Sequence, residues 1–422
     1  MIKFIDLFSG TGGIRLGFEQ AMNQLSIKHE CVYSCEIDKK ACLSYQLNFG
    51  ENPYGDITKV DASTLPDFDF LLAGFPCQAF SHAGQRKGFE DTRGTLFFDV
   101  ARILKEKKPK FFLLENVRGL ISHDKGNTYK VIENTLKELG YGVDYLLLNS
   151  SSFSVPQNRV RIYIFGVLNT QPKMSLRTNL GAVDSHDFKN KVKEFNNIKY
   201  IKDILDPIVD EKYVCSQKFQ NMIRKAHPDL NEIHGYRLID YRGGKSLHSW
   251  ELGIKGECTP EEINFMNLLI SNRRKKIFGT HKDGKSLSKE QIMTFYSSID
   301  FDEVTKSLIQ KGYLSIKDGL YNPVCGNMSF EVFKFLDPDS ISITLTASDS
   351  NRLGIYHNNI LRRITPRECA RIQGYPESYL LLEDDNAVYK QMGNGVSVPV
   401  IKAVAIDFIE NNIINIETKR AI

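Results

Sequence analysis

Short apolar runs alternate with amphipathic stretches over residues 1 to about 168 of the chain. The apolar runs predict β-strands, and the stretches with helical periodicity predict helices. The predicted strands cover residues 2–8, 31–37, 68–74, 111–117, 142–148 and 160–167. The predicted helices cover residues 12–24, a stretch that ends at 48, 96–107 and 129–139. This alternation is typical of an α/β fold, in which a twisted, mostly parallel sheet is covered by helices on both faces.

The pattern changes near residue 170. From there to about residue 340 the chain is more charged and its apolar residues are irregularly spaced, which indicates a second lobe. After this segment, residues 366–373 and 398–411 again have helical spacing. The second of these helices is apolar along one face, so we expect it to dock back on the sheet.

Within the second lobe, residues 259–323 carry the pattern of three helices followed by a hairpin, which is typical of a winged-helix domain. The predicted elements are helices at 259–272, 288–295 and 301–311, with strands at 312–316 and 320–321. The third helix begins with acidic residues, which would repel DNA phosphates. The insert is therefore either a DNA-contacting module, with Lys306 and Lys311 as its cations, or a spacer or brace.

Composition narrows the class of protein. The 422 residues exceed one average domain, and contents of 41% hydrophobic and 25% charged residues are ordinary for a soluble protein of two lobes. The net charge of +4 is compatible with a polyanionic partner, although many other enzymes share it.

No apolar run approaches the roughly 20 residues of a membrane span, and the N-terminus is unlike a signal peptide, so we expect a cytoplasmic protein without a membrane contact. The eight cysteines have neither a disulfide framework nor zinc-site spacing, so no metal is expected.

A glycine-rich turn follows the first predicted strand, where the sequence reads DLFSGTGG at 6–13. Such a turn lets the backbone approach a ligand closely. The dinucleotide fingerprint requires a third glycine at the position of Arg15, so a nicotinamide site is disfavoured. Glu36 ends the second strand, where a carboxylate can accept hydrogen bonds from a ribose, and Asp56 follows in the next unit. These features indicate a nucleoside site, or alternatively a structural turn with surface carboxylates.

Three further groups lie at predicted strand ends. Cys77 follows the third strand, where a cysteine can act as a nucleophile, and Glu115 lies at the end of the next strand. Arg159 and Arg161 alternate along a later strand and so point to the same side. Taken singly, these groups have ordinary interpretations: a turn, a capping carboxylate and a solvated edge.

Taken together and in this order, the blocks resemble the DNA (cytosine-5) methyltransferase family, in its bacterial restriction–modification form. The resemblance covers most of residues 1–170 and 340–411. The matching blocks are DLFSGTGG at 6–13, GFPCQ at 74–78, ENV at 115–117, QNRVR at 157–161, TPRECARIQGYP at 365–376 and QMGNGV at 391–396. The resemblance implies a Rossmann-like S-adenosylmethionine-dependent methyltransferase sheet with a smaller target-recognition lobe. The implied divisions are a catalytic domain at 1–175, a recognition domain at 176–350 that includes the insert, and a segment at 351–422 that returns to the catalytic domain.

The resemblance also implies the reaction and its groups. A methyl group passes from S-adenosylmethionine to carbon 5 of a cytosine that is flipped out of a specific duplex sequence. Cys77 adds to carbon 6 of the ring, which makes carbon 5 nucleophilic. Glu115 contacts N3 of the base, and Arg161 contacts its O2, with Arg159 beside it.

Cofactor and DNA contacts are implied in the same way. The cofactor residues are Asp6, Phe8, Ser9, Gly10, Thr11, Gly12, Gly13, Glu36, Ile37, Asp56, Ile57, Phe75, Pro76, Leu96, Asn394 and Val396. Relatives often carry tryptophan at position 37, so Ile37 packs on the adenine without aromatic stacking. The DNA contacts are Thr344, in a recognition-lobe signature, and residues of a basic, glycine-hinged loop: Gln78, Ser81, Arg86, Lys87 and Arg93.

Three alternatives stay open beside this interpretation. A tRNA-methylating branch shares the catalytic blocks, but its Cys-Phe-Thr signature is absent from the sequence. A non-catalytic DNA-binding regulator would not require Cys77, Glu115 and Arg161, and a metabolic nucleotide-binding enzyme would not require the ordered blocks. By resemblance, the partner is double-stranded DNA, a cognate restriction endonuclease is linked only functionally, and the chain acts as a monomer.

Overall fold

The computed structural model describes residues 1–76, 96–181, 198–241, 243–280, 284–325 and 330–414. Cys77, and the loop residues expected to contact DNA between 78 and 93, lie outside these ranges. The strands, numbered in chain order, are β1 (Ile2–Leu7), β2 (His29–Cys35), β3 (Phe70–Ala73), β4 (Phe111–Val117), β5 (Tyr141–Asn149), β6 (Val160–Leu168), β7 (Arg237–Leu238), β8 (Ser246–Leu247), β9 (Leu314–Lys317), β10 (Leu320–Pro323), β11 (Lys334–Phe335), β12 (Leu353–His357) and β13 (Ile360–Arg363). The α-helices are α1 (Gly13–Gln24), α2 (Lys39–Phe49), α3 (Phe97–Lys107), α4 (Asn127–Glu138), α5 (Gln217–Ala226), α6 (Pro260–Asn272), α7 (Lys289–Met293), α8 (Phe301–Gln310), α9 (Pro366–Ile372), α10 (Asp385–Asn394) and α11 (Val398–Ile409).

The chain forms two compact units. The first comprises residues 1–205, 339–350 and 366–422, and the second comprises residues 206–338 and 351–365. The second unit is therefore an insertion, from which the chain returns twice to the first.

A six-stranded sheet in the order β2-β1-β3-β4-β6-β5 forms the centre of the first unit. All neighbouring pairs are parallel except those of β6, which runs antiparallel to β4 and β5. The predicted α/β fold with a mostly parallel sheet is thus confirmed. Because side chains alternate across a strand, Phe70 and Leu72 pack in the core on one face of the sheet, and Leu71 and Ala73 pack in the core on the other.

The last helix, α11, docks on this sheet as predicted. Phe408 contacts the rings of Phe70, Phe111 and Phe165, with centroid distances of 5.6, 5.7 and 6.0 Å. The helical run Asp385–Ile414 is apolar and long enough to qualify by composition as a membrane span, yet 72% of its most apolar window is buried in the protein. The run joins α10 to α11 through extended backbone at Gly395, so we interpret it as two core helices.

The second unit contains a five-stranded sheet in the order β13-β12-β11-β7-β8 and a helical segment. In that segment α6, α7 and α8 are followed by the β9–β10 hairpin, which confirms the elements predicted for residues 259–323. Both carboxylate oxygens of the buried Glu262 accept hydrogen bonds from Lys311 Nζ, at 2.8 and 2.7 Å. Lys289 Nζ donates to one carboxylate oxygen of the exposed Asp302, at 2.6 Å. Lys311, one of the two cations considered for DNA contact, is thus a structural link between α6 and the end of α8.

Candidate active site

A cavity of about 610 Å³ lies at the carboxyl ends of the parallel strands of the first unit. Its wall comes from the loops after β1, β2 and β3, the end of β4, the start of β6 and the C-terminal segment. This volume is in the range of small-molecule sites. The cavity brings together most of the predicted site residues that the structure describes: Phe8, Ser9, Gly10, Thr11, Gly13, Glu36, Ile37, Phe75, Pro76, Leu96, Glu115, Arg159, Arg161, Asn394 and Val396.

Four residues expected to contact the cofactor do not line this cavity. Asp6 is completely buried, and burial raises its pKa to about 8. Gly12 precedes α1, Ile57 packs in the core, and the Asp56 carboxylate accepts hydrogen bonds from the backbone N–H and hydroxyl of Thr58. A direct cofactor contact by these four stays a prediction.

The carboxylate of Glu36 links the loops after β1 and β2. One oxygen accepts a hydrogen bond from the backbone N–H of Gly10 at 2.8 Å. The other accepts from the N–H groups of Ile37 and Asp38, at 2.9 and 2.7 Å. The carboxylate therefore faces the ligand cavity from a fixed position. Beside it, Ile37 lines the cavity with 64% of its surface exposed, which leaves an apolar face for a planar ligand to cover.

The glycine-rich turn has almost no spare room. The backbone at Gly12 has a φ of +80°, and a Cβ on this residue would lie 2.1 Å from the Phe49 ring. A Cβ on Gly13 would lie 2.4 Å from Tyr375 Oη and 3.0 Å from Val396 Cγ2. Glycine at position 12 therefore lets the end of α2 pack against the turn, and glycine at position 13 lets the C-terminal segment pack against it.

Tyr375 and Tyr379 bind the other side of this turn. The Tyr375 hydroxyl shares a hydrogen bond of 3.0 Å with Thr11 Oγ1, and Tyr379 Oη donates to the Thr11 carbonyl at 2.6 Å. Tyr375 also lines the cavity. Neither tyrosine was predicted to belong to the site, although Tyr375 lies within the matching block at 365–376.

Glu115 and Arg161 form the charged end of the cavity. Arg161 Nε lies 3.2 Å from Glu115 Oε1, and both side chains are largely buried. Burial raises the pKa of the Glu115 carboxyl, and the positive charges of Arg161 and Arg159 only partly oppose this. The site thus holds a carboxyl group that retains its proton more readily than usual beside a guanidinium that can hydrogen-bond to a polar ligand.

Arg159 lies close to Glu115 and Arg161, but its guanidinium contacts backbone carbonyls. Only 2% of its surface is exposed, and its guanidinium donates to the backbone carbonyls of Leu345, Gly393 and Gly395. Burial, followed by the nearby charge of Arg161, lowers its pKa to about 10. Arg159 therefore fastens the C-terminal segment to the start of β6. Its expected place beside the base stays a prediction.

Asn116 connects two of the matching blocks. Its Nδ2 donates to the Phe75 carbonyl at 2.9 Å, and its Oδ1 accepts from the N–H of Val117 at 2.7 Å. Phe75 is followed in sequence by Pro76 and Cys77. The side chain thus positions the backbone that leads to the candidate nucleophile, a role that its place in the ENV block could have suggested.

A buried amide network holds the C-terminal segment against the start of β6. Gln157 Nε2 donates to Gln373 Oε1 at 3.1 Å, and Gln373 Nε2 donates to the Met392 carbonyl at 2.7 Å. Gln373 Oε1 also accepts from Ser397 Oγ at 3.0 Å. Because each amide is fully buried and hydrogen-bonded, the network fixes a single position of the junction between α10 and α11, which carries Asn394 and Val396.

Helix α10, which the periodicity of the sequence did not predict, lines one side of the cavity. Lys390 Nζ pairs with Asp38 at 2.8 Å, and Gln391 Oε1 accepts from Ser44 Oγ at 3.0 Å. Its start is capped by Asp384, whose carboxylate accepts from the N–H of Ala387. An aspartate is a common helix N-cap, so Asp384 is the residue from which the start of this helix could have been predicted in the sequence.

Thr344 is the one residue expected to contact DNA that the structure describes. It belongs to the first unit, where its hydroxyl donates to the Asn158 carbonyl at 2.6 Å. The other expected contacts, Gln78, Ser81, Arg86, Lys87 and Arg93, lie outside the described residues. DNA contact by all six therefore stays a prediction.

Comparisons with known proteins identify the family. The chain is 60% identical over 415 residues to the type II methyltransferase M.BanI of Aneurinibacillus aneurinilyticus, covering 98% of this chain and 96% of that one. It is 58% identical over 416 residues to the type II methyltransferase M.HgiCI of Herpetosiphon aurantiacus, covering 97% and 98%. The solved structure of the Entamoeba histolytica methyltransferase EhMeth shares the fold, with a TM-score of 0.53, 16% identity and coverage of 97% and 98%. Residues 2–410 match the family described as C-5 cytosine-specific DNA methylase, and this chain therefore belongs to that family.

Proposed function

We propose that this protein acts in the cytoplasm, where it transfers a methyl group from S-adenosylmethionine to carbon 5 of a flipped-out cytosine in a specific duplex sequence and so protects the host DNA from a cognate restriction endonuclease. The observation that carries the proposal is that one cavity contains both the Glu36–Gly10 turn and the Glu115–Arg161 pair. The first is suited to a nucleoside cofactor and the second to a polar base. The restriction–modification role is supported by relatives that are named type II methyltransferases.

The cofactor half of the cavity fits S-adenosylmethionine. Glu36 can accept hydrogen bonds from the ribose hydroxyls, and the exposed apolar face of Ile37 can cover the adenine. The amino-terminal end of α1 adds backbone N–H groups that favour a carboxylate. When bound, S-adenosylmethionine supplies a methyl group on a positively charged sulfur.

We assign the nucleophile to Cys77, which directly follows the cavity residue Pro76 in sequence. The chain's other cysteines are poorly suited to this task, because burial raises the pKa of each and so favours the unreactive thiol. These cysteines are Cys31, Cys35, Cys42, Cys215, Cys258, Cys325 and Cys369.

The residues act on the base in sequence. The Cys77 thiolate forms a bond to carbon 6 while the Glu115 carboxyl provides a proton at N3, so that negative charge does not accumulate on the ring. Arg161 holds O2 of the base. Carbon 5, now enamine-like, would take the methyl group from the positively charged sulfur, which would leave as a neutral thioether. A base then removes the carbon 5 proton, and the electrons of that C–H bond form the C5–C6 double bond as the C6–S bond breaks and restores the Cys77 thiolate. N3 returns its proton to the Glu115 carboxylate, which completes the cycle.

The test has two parts. The chain is expressed in a host without DNA methylation, and the host genome is sequenced for 5-methylcytosine. We expect modification at a single short sequence, and none with Cys77→Ala. A folded, cofactor-binding protein that leaves the genome unmodified would refute the proposal.

The role of Glu115 is tested with duplex that carries 5-fluorocytosine at the target. Wild type should form a covalent adduct, Cys77→Ser none, and Glu115→Gln should react about 10²- to 10⁴-fold more slowly. Because the protonated carboxyl is the active form, the wild-type rate should fall as pH rises through the raised pKa of Glu115, and this limb should vanish in Glu115→Gln. An identical limb in both proteins would contradict the assignment.

A further inference from the structure

Three cations meet on the sheet of the second unit: Arg237, Lys245 and Lys334, here called the cationic cluster. Strand β7, which begins with Arg237, lies between β8 and β11. Lys334 is the direct cross-strand partner of Arg237, and the Arg237 N–H donates to the Lys245 carbonyl at 3.0 Å. Residues distant in sequence are thus placed side by side by strand register.

The two lysines converge on one turn. Lys334 Nζ donates to the Gly235 carbonyl at 2.9 Å, and Lys245 Nζ donates to the carbonyl of the preceding residue, His234, at 3.3 Å. Gly235 has a φ of +83° and no side chain, and a Cβ there would lie 3.4 Å from Lys245 Cδ. The turn therefore holds two ammonium groups close together without burying either completely.

No described carboxylate forms an ion pair with any member of the cluster. The Arg237 guanidinium makes no hydrogen bond within the described part of the chain, and its Nε is buried without a partner. Burial, Arg237 and Lys245 together lower the pKa of Lys334 to about 8. Adjacent like charges without a counter-ion are unfavourable, so the arrangement gains most from an external anion.

We propose that the cationic cluster is a binding site for the phosphate backbone of the duplex substrate. The inference depends on the proposed function only for the identity of the anion, since a DNA methylase has a polyanionic substrate. The guanidinium can bind phosphate oxygens in a bidentate manner, and the two ammonium groups add point charges. The cluster positions the duplex rather than reading its sequence.

The first experiment measures duplex affinity against salt concentration for wild type, Arg237→Gln, Lys245→Gln and Lys334→Gln. Each change should weaken binding several-fold and reduce the slope of log affinity against log salt by about 0.9. The matched control is Lys218→Gln, an exposed lysine on α5 of the same unit, which should leave the slope unchanged. Slopes equal to wild type in all three cluster variants would overturn the proposal.

The second experiment measures proton uptake near pH 8 by calorimetry of duplex binding in buffers of different ionisation enthalpy. A phosphate beside Lys334 stabilises its charged form, so wild type should take up a proton. Lys334→Arg should keep the salt slope but lose the uptake. Uptake that persists in Lys334→Arg, or that inorganic phosphate alone reproduces at similar concentration, would overturn the assignment to duplex.

Failure of this inference differs from failure of the proposed function. Cofactor affinity and the thermal unfolding temperature should be unchanged in the cluster variants, which shows that they fold. If the wild-type protein methylates DNA and the cluster variants keep its salt slope, only the assignment of the cationic cluster is rejected. A wild-type protein without methylation rejects the proposed function.

Discussion

The contact between the glycine-rich turn and Tyr375 can be tested by adding one carbon atom. In Gly13→Ala, the new Cβ would lie 2.4 Å from Tyr375 Oη, 3.3 Å from Tyr375 Cζ and 3.0 Å from Val396 Cγ2. Alanine is the better helix former by about 1 kcal/mol, so local propensity alone predicts a gain in stability. Overpacking costs about 1–3 kcal/mol, and we expect it to outweigh that gain. The turn must then shift, and the cofactor dissociation constant should rise on the order of 10-fold.

The substitution Tyr375→Phe tests whether the clash with the tyrosine oxygen causes the loss of cofactor affinity. Tyr375→Phe removes the oxygen that the new carbon meets, and by itself loses only the hydrogen bond to Thr11, worth about 0.5–1.5 kcal/mol. Gly13→Ala combined with Tyr375→Phe should therefore bind the cofactor better than the two single effects predict. The rescue should be partial, because the contacts with Tyr375 Cζ and Val396 Cγ2 remain.

The assay is titration calorimetry with S-adenosylmethionine, together with thermal unfolding of all four proteins in the cycle. Gly119→Ala serves as the control, because its added carbon would meet only Val117 Cγ2, at 4.0 Å. The reasoning is refuted if Gly13→Ala binds the cofactor as wild type does, or if the effects of Gly13→Ala and Tyr375→Phe are simply additive.

Three further changes test other parts of the molecule. The pKa of Asp6 is about 8 in the folded protein and 3.8 ordinarily, so its ionisation destabilises the fold increasingly from about pH 4 to pH 8. Asp6→Asn should therefore gain stability over wild type across that window, by at most on the order of 5 kcal/mol. Urea unfolding that shows the same stability difference between the two proteins at pH 5 and pH 8 would contradict this. Asn116→Asp removes the donor to the Phe75 carbonyl, so adduct formation with 5-fluorocytosine duplex should slow by about 10²-fold. Cofactor affinity should be unchanged, and an unchanged rate of adduct formation would exclude the positioning role. Lys311→Met removes the cationic partner of the buried Glu262 carboxylate and leaves it the hydrogen bond from the Thr259 N–H, so it should destabilise the second unit by about 1.5–3 kcal/mol. The salt slope of DNA binding should not change, and a lower slope would instead indicate a DNA contact.

The sequence by itself determined the fold class and most of the cavity wall. Strand periodicity and the glycine-rich turn are local signals, and in a parallel sheet the residues that follow each strand must gather at one edge. Glu36 and Glu115 could therefore be placed at one edge of the sheet from their positions at strand ends, and the family resemblance implied that they share one site. Helix α11 was also predicted from a local signal, because its apolar face is visible in the periodicity of the sequence.

Only the tertiary structure decided which groups meet across long stretches of chain. The Arg159 guanidinium bonds to backbone carbonyls of the C-terminal segment, Tyr375 closes on Thr11, and Lys334 lies beside Arg237. Each of these contacts depends on strand register and on how a distant segment returns to the sheet. Periodicity carries no information about either, because it reports which face of an element is buried and not which partner buries it.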